Sequence, residues 1–256
     1  MKIFSYLREK FHPLHWLFQY SFVRTLLSKI KIKFCKNSKK FGNFFIYLPR
    51  NIQYLFALEN VEKDTFDFIS QLNLEKDIRN KSFVDVGGNC GLYSLFFKKM
   101  YNSTIFIFEP DDENLNLLVN TKLKNRFLNF FIFPFALSNK NEMAPFLVDN
   151  LTGAMGTLSS LRTGPQIRLN LKNQEEVICL KLDTFSDIIK DVAWIKLDIE
   201  GHEIEAVKGM MEIIRIHEPN LIIEIFDDLT VSKILELLSP IKYKVKKTDV
   251  NFVFYK

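Results

Sequence analysis

Residues 82–94 run Ser82-Phe83-Val84-Asp85-Val86-Gly87-Gly88-Asn89-Cys90-Gly91-Leu92-Tyr93-Ser94. Phe83, Val84 and Val86 are β-formers in a run short enough for a strand buried on both faces. Gly87, Gly88 and Gly91 let the backbone turn sharply and approach a ligand closely, and the spacing beyond them is helical. In open α/β sheets ligands sit beyond the carboxyl ends of the strands, where a glycine turn opening a helix presents free N–H groups. The stretch therefore predicts strand, turn and helix in a nucleotide-binding arrangement. A dinucleotide fingerprint G-x-G-x-x-G is not met: counted from Gly87, its other glycine positions hold Asn89 and Leu92.

Two acids accompany the turn. Asp85 precedes it, and Glu109 ends the next apolar run, Thr104-Ile105-Phe106-Ile107-Phe108-Glu109-Pro110. Two acids beside a glycine turn suit a cofactor with a cationic amino-acid end and a ribose bearing two free hydroxyls, and S-adenosylmethionine has both. Four stretches in order carry a resemblance: Asp85 to Ser94, Phe108-Glu109-Pro110, Ala136-Leu137-Ser138, and Ile195-Lys196-Leu197-Asp198-Ile199-Glu200-Gly201-His202-Glu203. Through them the chain resembles the class I S-adenosylmethionine-dependent methyltransferases, and more closely the FkbM family, over roughly residues 80–226. The resemblance implies an α/β, doubly wound Rossmann-like sheet, mostly parallel, closed by a C-terminal antiparallel hairpin. It also implies cofactor contacts from Asp85, Gly87, Gly88, Asn89, Gly91, Tyr93, Ser94, Glu109, Pro110 and Asp198, with Ala136 and Leu137 flanking the adenine. Gly88 departs from the family, which more often has alanine there, and the change is expected only to loosen the turn.

With 256 residues, 47% hydrophobic and 25% charged, the composition is that of a globular protein, sized for one α/β domain with an appendage. The net charge of +5 is uneven: residues 1–40 hold ten Lys or Arg against one acid, Glu9, which gives them +9 and leaves −4 for the rest. A slightly acidic body excludes general nucleic-acid binding, which draws its affinity from Lys and Arg meeting phosphates. Residues 1–60 are expected to form a basic amphipathic, partly helical extension. Its apolar positions, from Phe4 to Ile30, suit packing on the domain, a second copy in a homodimer, or peripheral membrane contact through residues 1–40. Residues 61–256 are expected to form the methyltransferase domain. Cys35, Cys90 and Cys179 show no metal-type or disulfide spacing, Cys90 reads as a packing residue, and a reducing compartment is expected. No signal peptide or bilayer-spanning run is evident, so the expected location is cytoplasmic, at or near the inner face of the membrane.

Further along, Pro110 is expected to open a helix as its first-turn residue, with Asp111, Asp112 and Glu113 at the positive end. Phe130 to Leu137 reads as the third strand. Residues 138–180 read as a long irregular acceptor loop, with Arg162, Arg168 and Lys172 available to an anionic group and a strand from about Glu176 returning to the sheet. Val192 to Leu197 reads as the fourth strand, beside the first in a 3-2-1-4-5 order, followed by one helix from His202 to about Ile216. Alternation in an extended segment directs Asp198 and Glu200 to the same side. With His202 and Glu203 they are the candidate catalytic residues, one carboxylate raised by its neighbour to act as general base.

The expected function is S-adenosylmethionine-dependent O-methylation of a sugar hydroxyl, on an acceptor that is nucleotide-linked or lipid-linked, in bacterial surface polysaccharide or glycoside assembly. The substrate class comes from the resemblance alone. Related sugar methyltransferases that use a metal carry an acidic pair after the fifth strand; here Glu224 is followed by Ile225, so no metal is expected. Two alternatives stay open: a nicotinamide-dependent oxidoreductase on the same architecture, and a non-catalytic membrane-associated assembly factor.

Overall fold

A computed structural model describes residues 38–48, 62–74, 77–148, 156–158 and 173–256. The expectations for residues 1–37, including Cys35, and for Arg162, Arg168 and Lys172 lie outside the described residues.

In chain order the elements are β1 (Ser38–Phe41), β2 (Phe44–Tyr47), α1 (Lys63–Leu72), β3 (Ser82–Val86), α2 (Leu92–Tyr101), β4 (Thr104–Phe108), α3 (Asp112–Asn125), β5 (Phe130–Phe133), β6 (Ala136–Leu137), β7 (Glu142–Val148) and β8 (Asn173–Leu180). They continue with β9 (Val192–Leu197), α4 (Glu203–Lys208), α5 (Met211–His217), β10 (Asn220–Glu224), α6 (Asp228–Leu238), β11 (Lys244–Thr248) and β12 (Asn251–Tyr255). Seven strands form one sheet in the order β11-β12-β10-β9-β3-β4-β5. All its pairings are parallel except those of β12, which runs antiparallel to β10 and β11. Counted in chain order from the β5 edge this is 3-2-1-4-5-7-6, the doubly wound Rossmann-like sheet of class I methyltransferases, as expected.

The core follows from strand alternation. Phe83, Ile105, Ile107, Trp194, Ile222 and Val253 turn to one face, under Leu95 and Phe97 of α2, Ile69 of α1 and Ile46 of β2. Val84, Val86, Phe106, Phe108, Ile195, Leu197, Leu221 and Ile223 turn to the other, under Val207, Ile213 and Ile234. Phe97 stacks on Phe83 with ring centroids 4.0 Å apart, a geometry adding about 0.5–1.5 kcal/mol to plain burial. The β1–β2 hairpin is tied to α3: Asn125 Oδ1 accepts from the Phe45 amide at 2.8 Å and Thr121 Oγ1 from the Tyr47 amide at 3.0 Å. On β11, one of the two edge strands of this sheet among the described residues, Lys246 Nζ lies 3.9 Å from the centre of the Phe68 ring and Lys247 Nζ lies 5.0 Å from that of Phe252.

Four boundaries differ from expectation. Pro110 precedes α3 rather than opening it, because the Asp111 side chain takes the N-cap and accepts from the Asn114 amide at 2.9 Å. The run 130–137 is two strands: Pro134 supplies no amide donor, so β5 ends in the main sheet and β6 joins a separate sheet ordered β6-β8-β7. There β8 pairs antiparallel with β7 and does not return to the main sheet; the described parts of 138–180 are mostly regular strand. The single helix expected from His202 is two, α4 and α5, broken at Gly209. A Cβ on Gly209 would stand 1.9 Å from the Ser138 carbonyl oxygen, so the turn is pressed against the chain leaving β6.

Gly88 does more than loosen the turn. A Cβ there would fall 2.2 Å from Ile107 Cγ2 on β4, so the missing methyl makes room for a branched neighbour. Gly88→Ala is expected to destabilise the protein by about 1–3 kcal/mol, as overpacking does. Ile107→Ala removes the colliding methyl, so the double variant should lose less than the sum of the two single losses, which denaturant unfolding of the four proteins will measure.

Candidate active site

The turn between β3 and α2 is built backbone first. Gly87 (φ +75) donates to the Phe108 carbonyl at 2.9 Å, and Gly91 (φ +85) is the N-cap of α2 and donates to the Gly88 carbonyl at 2.8 Å. A Cβ on Gly87 would meet the Asp198 carbonyl oxygen at 1.9 Å, so the exits of β3 and β9 touch at a position only glycine fits.

Beside the turn, Glu109 is 4% exposed. Its Oε2 accepts from the Asn89 amide at 2.7 Å and its Oε1 from the Asp111 amide at 2.9 Å. The Asn114 side chain bonds the same carboxyl, and the lone pairs left beyond these bonds face the turn as further acceptor capacity. Burial pushes this carboxyl up to about 7, against the pull of the two amides.

A cleft opens here along the carboxyl ends of the strands. Of the residues singled out in the sequence, Gly87, Asn89, Glu109, Pro110, Ala136, Leu137, Asp198 and Glu200 line it. Asp85, Gly88, Gly91, Tyr93, Ser94, His202 and Glu203 stand behind or beside it. Asp85 is 2% exposed, and its Oδ2 accepts from the Ser94 hydroxyl at 2.5 Å and the Ser94 amide at 3.2 Å, which clamps the first turn of α2 to β3. Burial pushes Asp85 up to about 7. The Tyr93 hydroxyl donates to the Glu62 carboxylate. Glu203 Oε1 accepts from the Gly201 amide at 2.8 Å and closes the loop after β9. His202 Nε2 lies 3.0 Å from Ser138 Oγ, and burial lowers its basicity. Cys90 is buried and its thiol pushed up to about 12, which leaves it a packing group.

The alternation expected from Asp198 to Glu200 does not occur. Glu200 adopts a left-handed backbone (φ 59) and Gly201 follows at φ 105, so the segment bends as it leaves β9. Asp198 and Glu200 still both reach the cleft, carried by a loop whose Glu200 carbonyl accepts from Thr157 Oγ1 at 2.8 Å. The cleft also takes Asp111, which the sequence reading placed only at a helix start, and Asn114, Phe146 and Leu158, which it did not single out. The D-x-x-N cap signature at Asp111 and Asn114 could have drawn attention to the first pair; nothing local marks Phe146 or Leu158. Among the described residues no three His, Cys, Asp or Glu gather to hold a metal ion, and no helix is long and apolar enough to cross a membrane.

Because Asp85 and Glu109 are held above their ordinary values of 3.8 and 4.5, the folded protein retains their protons longer than the unfolded chain does. Their contribution to stability is complete below the unfolded values and is lost as pH rises through about 7. The melting temperature of the ligand-free protein should therefore carry a downward component between about pH 4 and pH 7, and Asp85→Asn and Glu109→Gln should each flatten it.

Sheet order, glycine turn and acid at the end of the second strand together define a class I methyltransferase architecture. The family model for the methyltransferase FkbM domain matches residues 85–245, and the chain belongs to that family. Among solved structures, the methyltransferase FkbM from Methylobacillus flagellatus KT aligns at 21% identity and a TM-score of 0.48, over 69% of this chain and 44% of that one. The chain thus spans less than half of that relative's length. Aeropyrum pernix fibrillarin, solved with natively bound S-adenosyl-L-methionine, aligns at 9% identity and a TM-score of 0.42, over 75% of each chain. The ribosomal protein L11 methylase from Lactobacillus delbrueckii subsp. bulgaricus aligns at 11% identity and a TM-score of 0.37, over 74% of this chain and 76% of that one. No curated protein matches the sequence.

Proposed function

We propose that the protein transfers a methyl group from S-adenosylmethionine to a hydroxyl of a sugar, in assembly of bacterial surface polysaccharide or a glycoside. The observation that carries the cofactor reading is the Glu109 carboxylate, oriented by the Asn89 and Asp111 amides beside the Gly87 turn, with capacity for the two hydroxyls of a ribose. When bound, the cofactor supplies an activated methyl on a sulfonium. The protein's part is to hold the ribose on Glu109, to seat the adenine by Ala136 and Leu137, and to offer Asp198 as the counter-charge on the other side of Gly87. Positioning of this kind can supply several kcal/mol of a displacement barrier.

The hydroxyl acceptor, its sugar nature and its nucleotide or lipid carrier rest on the family resemblance. Peripheral contact of residues 1–40 with the inner face of a membrane, and a homodimer, belong to the same reading. Metal independence is part of it as well; loss of activity on chelation and its restoration by Mg²⁺ would overturn that element. The test is to titrate the protein with S-adenosylmethionine by calorimetry, then incubate both with nucleotide-linked and lipid-linked sugars and look for one added methyl by mass spectrometry. Absence of cofactor binding, or NADH binding in its place, ends the proposal.

A further inference from the structure

Lys196 stands in the middle of the sheet, 1% exposed, opposite Asp85 on β3 and Ile222 on β10. A cation is stable in such a place only against counter-charge. Its Nζ makes no hydrogen bond among the described residues, lies 3.3 Å from Asp198 Oδ2, and sits 5.1 Å from the centre of the Tyr93 ring. Four carboxyl groups face it: Asp198 just past its own strand, Glu62 at the start of α1, Glu224 at the end of β10, and Asp85. One ammonium cannot balance four carboxylates gathered around it, Asp85 buried and the other three partly so, and the cluster therefore holds protons.

Two of the four have other donors. Asp85 accepts from Ser94 twice, and Glu62 accepts from the Tyr93 hydroxyl and from Asn251 Nδ2, the latter at 2.9 Å. Glu224 instead stands beside Asp198: β10 and β9 pair in parallel up to Ile223 and Leu197, so the residues that follow bring two carboxyl groups together at the paired strand ends, and a bond between two carboxyls needs a proton between them. Burial and the adjacent Asp198 charge, only partly offset by Lys196, lift Glu224 well above the usual carboxylate range. Asp198 itself lines the cleft, its side chain 32% exposed.

We propose that Glu224 is a proton-bearing positioning residue: it donates to Asp198 while Lys196 pairs with the same carboxylate, and the two fix Asp198 at the cleft to take the proton of a hydroxyl acceptor. The inference rests on the methyl-transfer reading above. In the step it serves, the acceptor oxygen bonds to the methyl carbon as the carbon–sulfur bond breaks, with its electron pair left on sulfur. The acceptor's proton passes to Asp198 and from there to water, while Lys196 and Glu224 keep theirs. The acceptor class that follows is a neutral nucleophile that must shed a proton, as an alcohol does.

Two measurements on the full chain test this. Infrared difference spectra of wild type and Glu224→Gln at about pH 8, where ordinary carboxyls are ionised, should show a protonated-carboxyl C=O band that the variant lacks. Calorimetry should show wild type binding sinefungin, whose ammonium occupies the methyl position, more tightly than S-adenosylhomocysteine, which places no charge there. Glu224→Gln keeps a donor for Asp198 and should keep that preference, whereas Glu224→Ala should lose about tenfold of it. An unchanged band in Glu224→Gln, or a preference lost equally in both variants, overturns the proposal. If neither ligand binds, the cofactor reading and the role given to Asp198 fall together, and the band alone reports whether Glu224 carries the proton.

Discussion

Glu109→Ala should weaken S-adenosylmethionine binding by about a hundredfold or more, with the near-ultraviolet circular dichroism of the protein unchanged. Two hydrogen bonds from ribose hydroxyls to a charged acceptor are worth about 1.5–3 kcal/mol each, and their sum corresponds to two or more decades of affinity. The loss should exceed that of either bond because Glu109 also anchors the Asn89 and Asp111 amides that shape the cleft. The same carboxyl makes a pH prediction. Burial holds it at about 7 in the ligand-free protein, and ribose hydroxyls need the ionised form as acceptor. Affinity should therefore fall as pH drops through about 7, and Glu109→Gln, weaker throughout, should lack that slope. Calorimetric titration between about pH 6 and pH 8.5 decides the matter; an Ala variant that binds as wild type does removes Glu109 from the site.

Among the described glycines, Gly87→Ala should be the most damaging added methyl. The residue sits at φ +75, where an L side chain is strained, and the added Cβ would stand 1.9 Å from the Asp198 carbonyl oxygen and 3.0 Å from Ile199 Cγ2. Neither neighbour is a flexible side-chain end: the first is backbone, held where the Asp198 amide donates to the Val86 carbonyl at 3.0 Å. Relief requires β3 and β9 to part at the cleft, a loss of about 4 kcal/mol or more, which for a chain of this size lowers the melting temperature by roughly 8–16 °C. Cofactor binding should be lost with it. A variant that melts within about 2 °C of wild type would show that the two strand exits are not coupled in this way.

The sequence made some of this plain and concealed the rest, and the division has physical causes. The turn at Gly87, the acid at Glu109 and the strand ending at Leu197 were legible because each depends on neighbours in the chain: an apolar run, then a backbone conformation only glycine takes, or an acid where burial ends. Pro134 splitting β5 from β6 and Asp111 capping α3 were equally local, but two signals competed in each stretch and the louder one was followed. Gly209 looks like a residue within a helix until Ser138, far away in sequence, is placed against it. The bend at Glu200 defeats alternation because a left-handed residue leaves no mark when it is not glycine. The partners of Lys196 were beyond local reading altogether. Glu62, Asp85 and Glu224 come from three other elements and meet only once the sheet is ordered.

The lysines of β11 have a consequence for the molecule among its own copies. An outer strand presents a row of amides ready to accept another chain, and positive charge is a common deterrent. Here Lys246 and Lys247 also roof the rings of Phe68 and Phe252. Exchanging them for neutral β-formers would uncover aromatic surface and an inviting margin in one stroke, turning a soluble rim into a seed for aggregates.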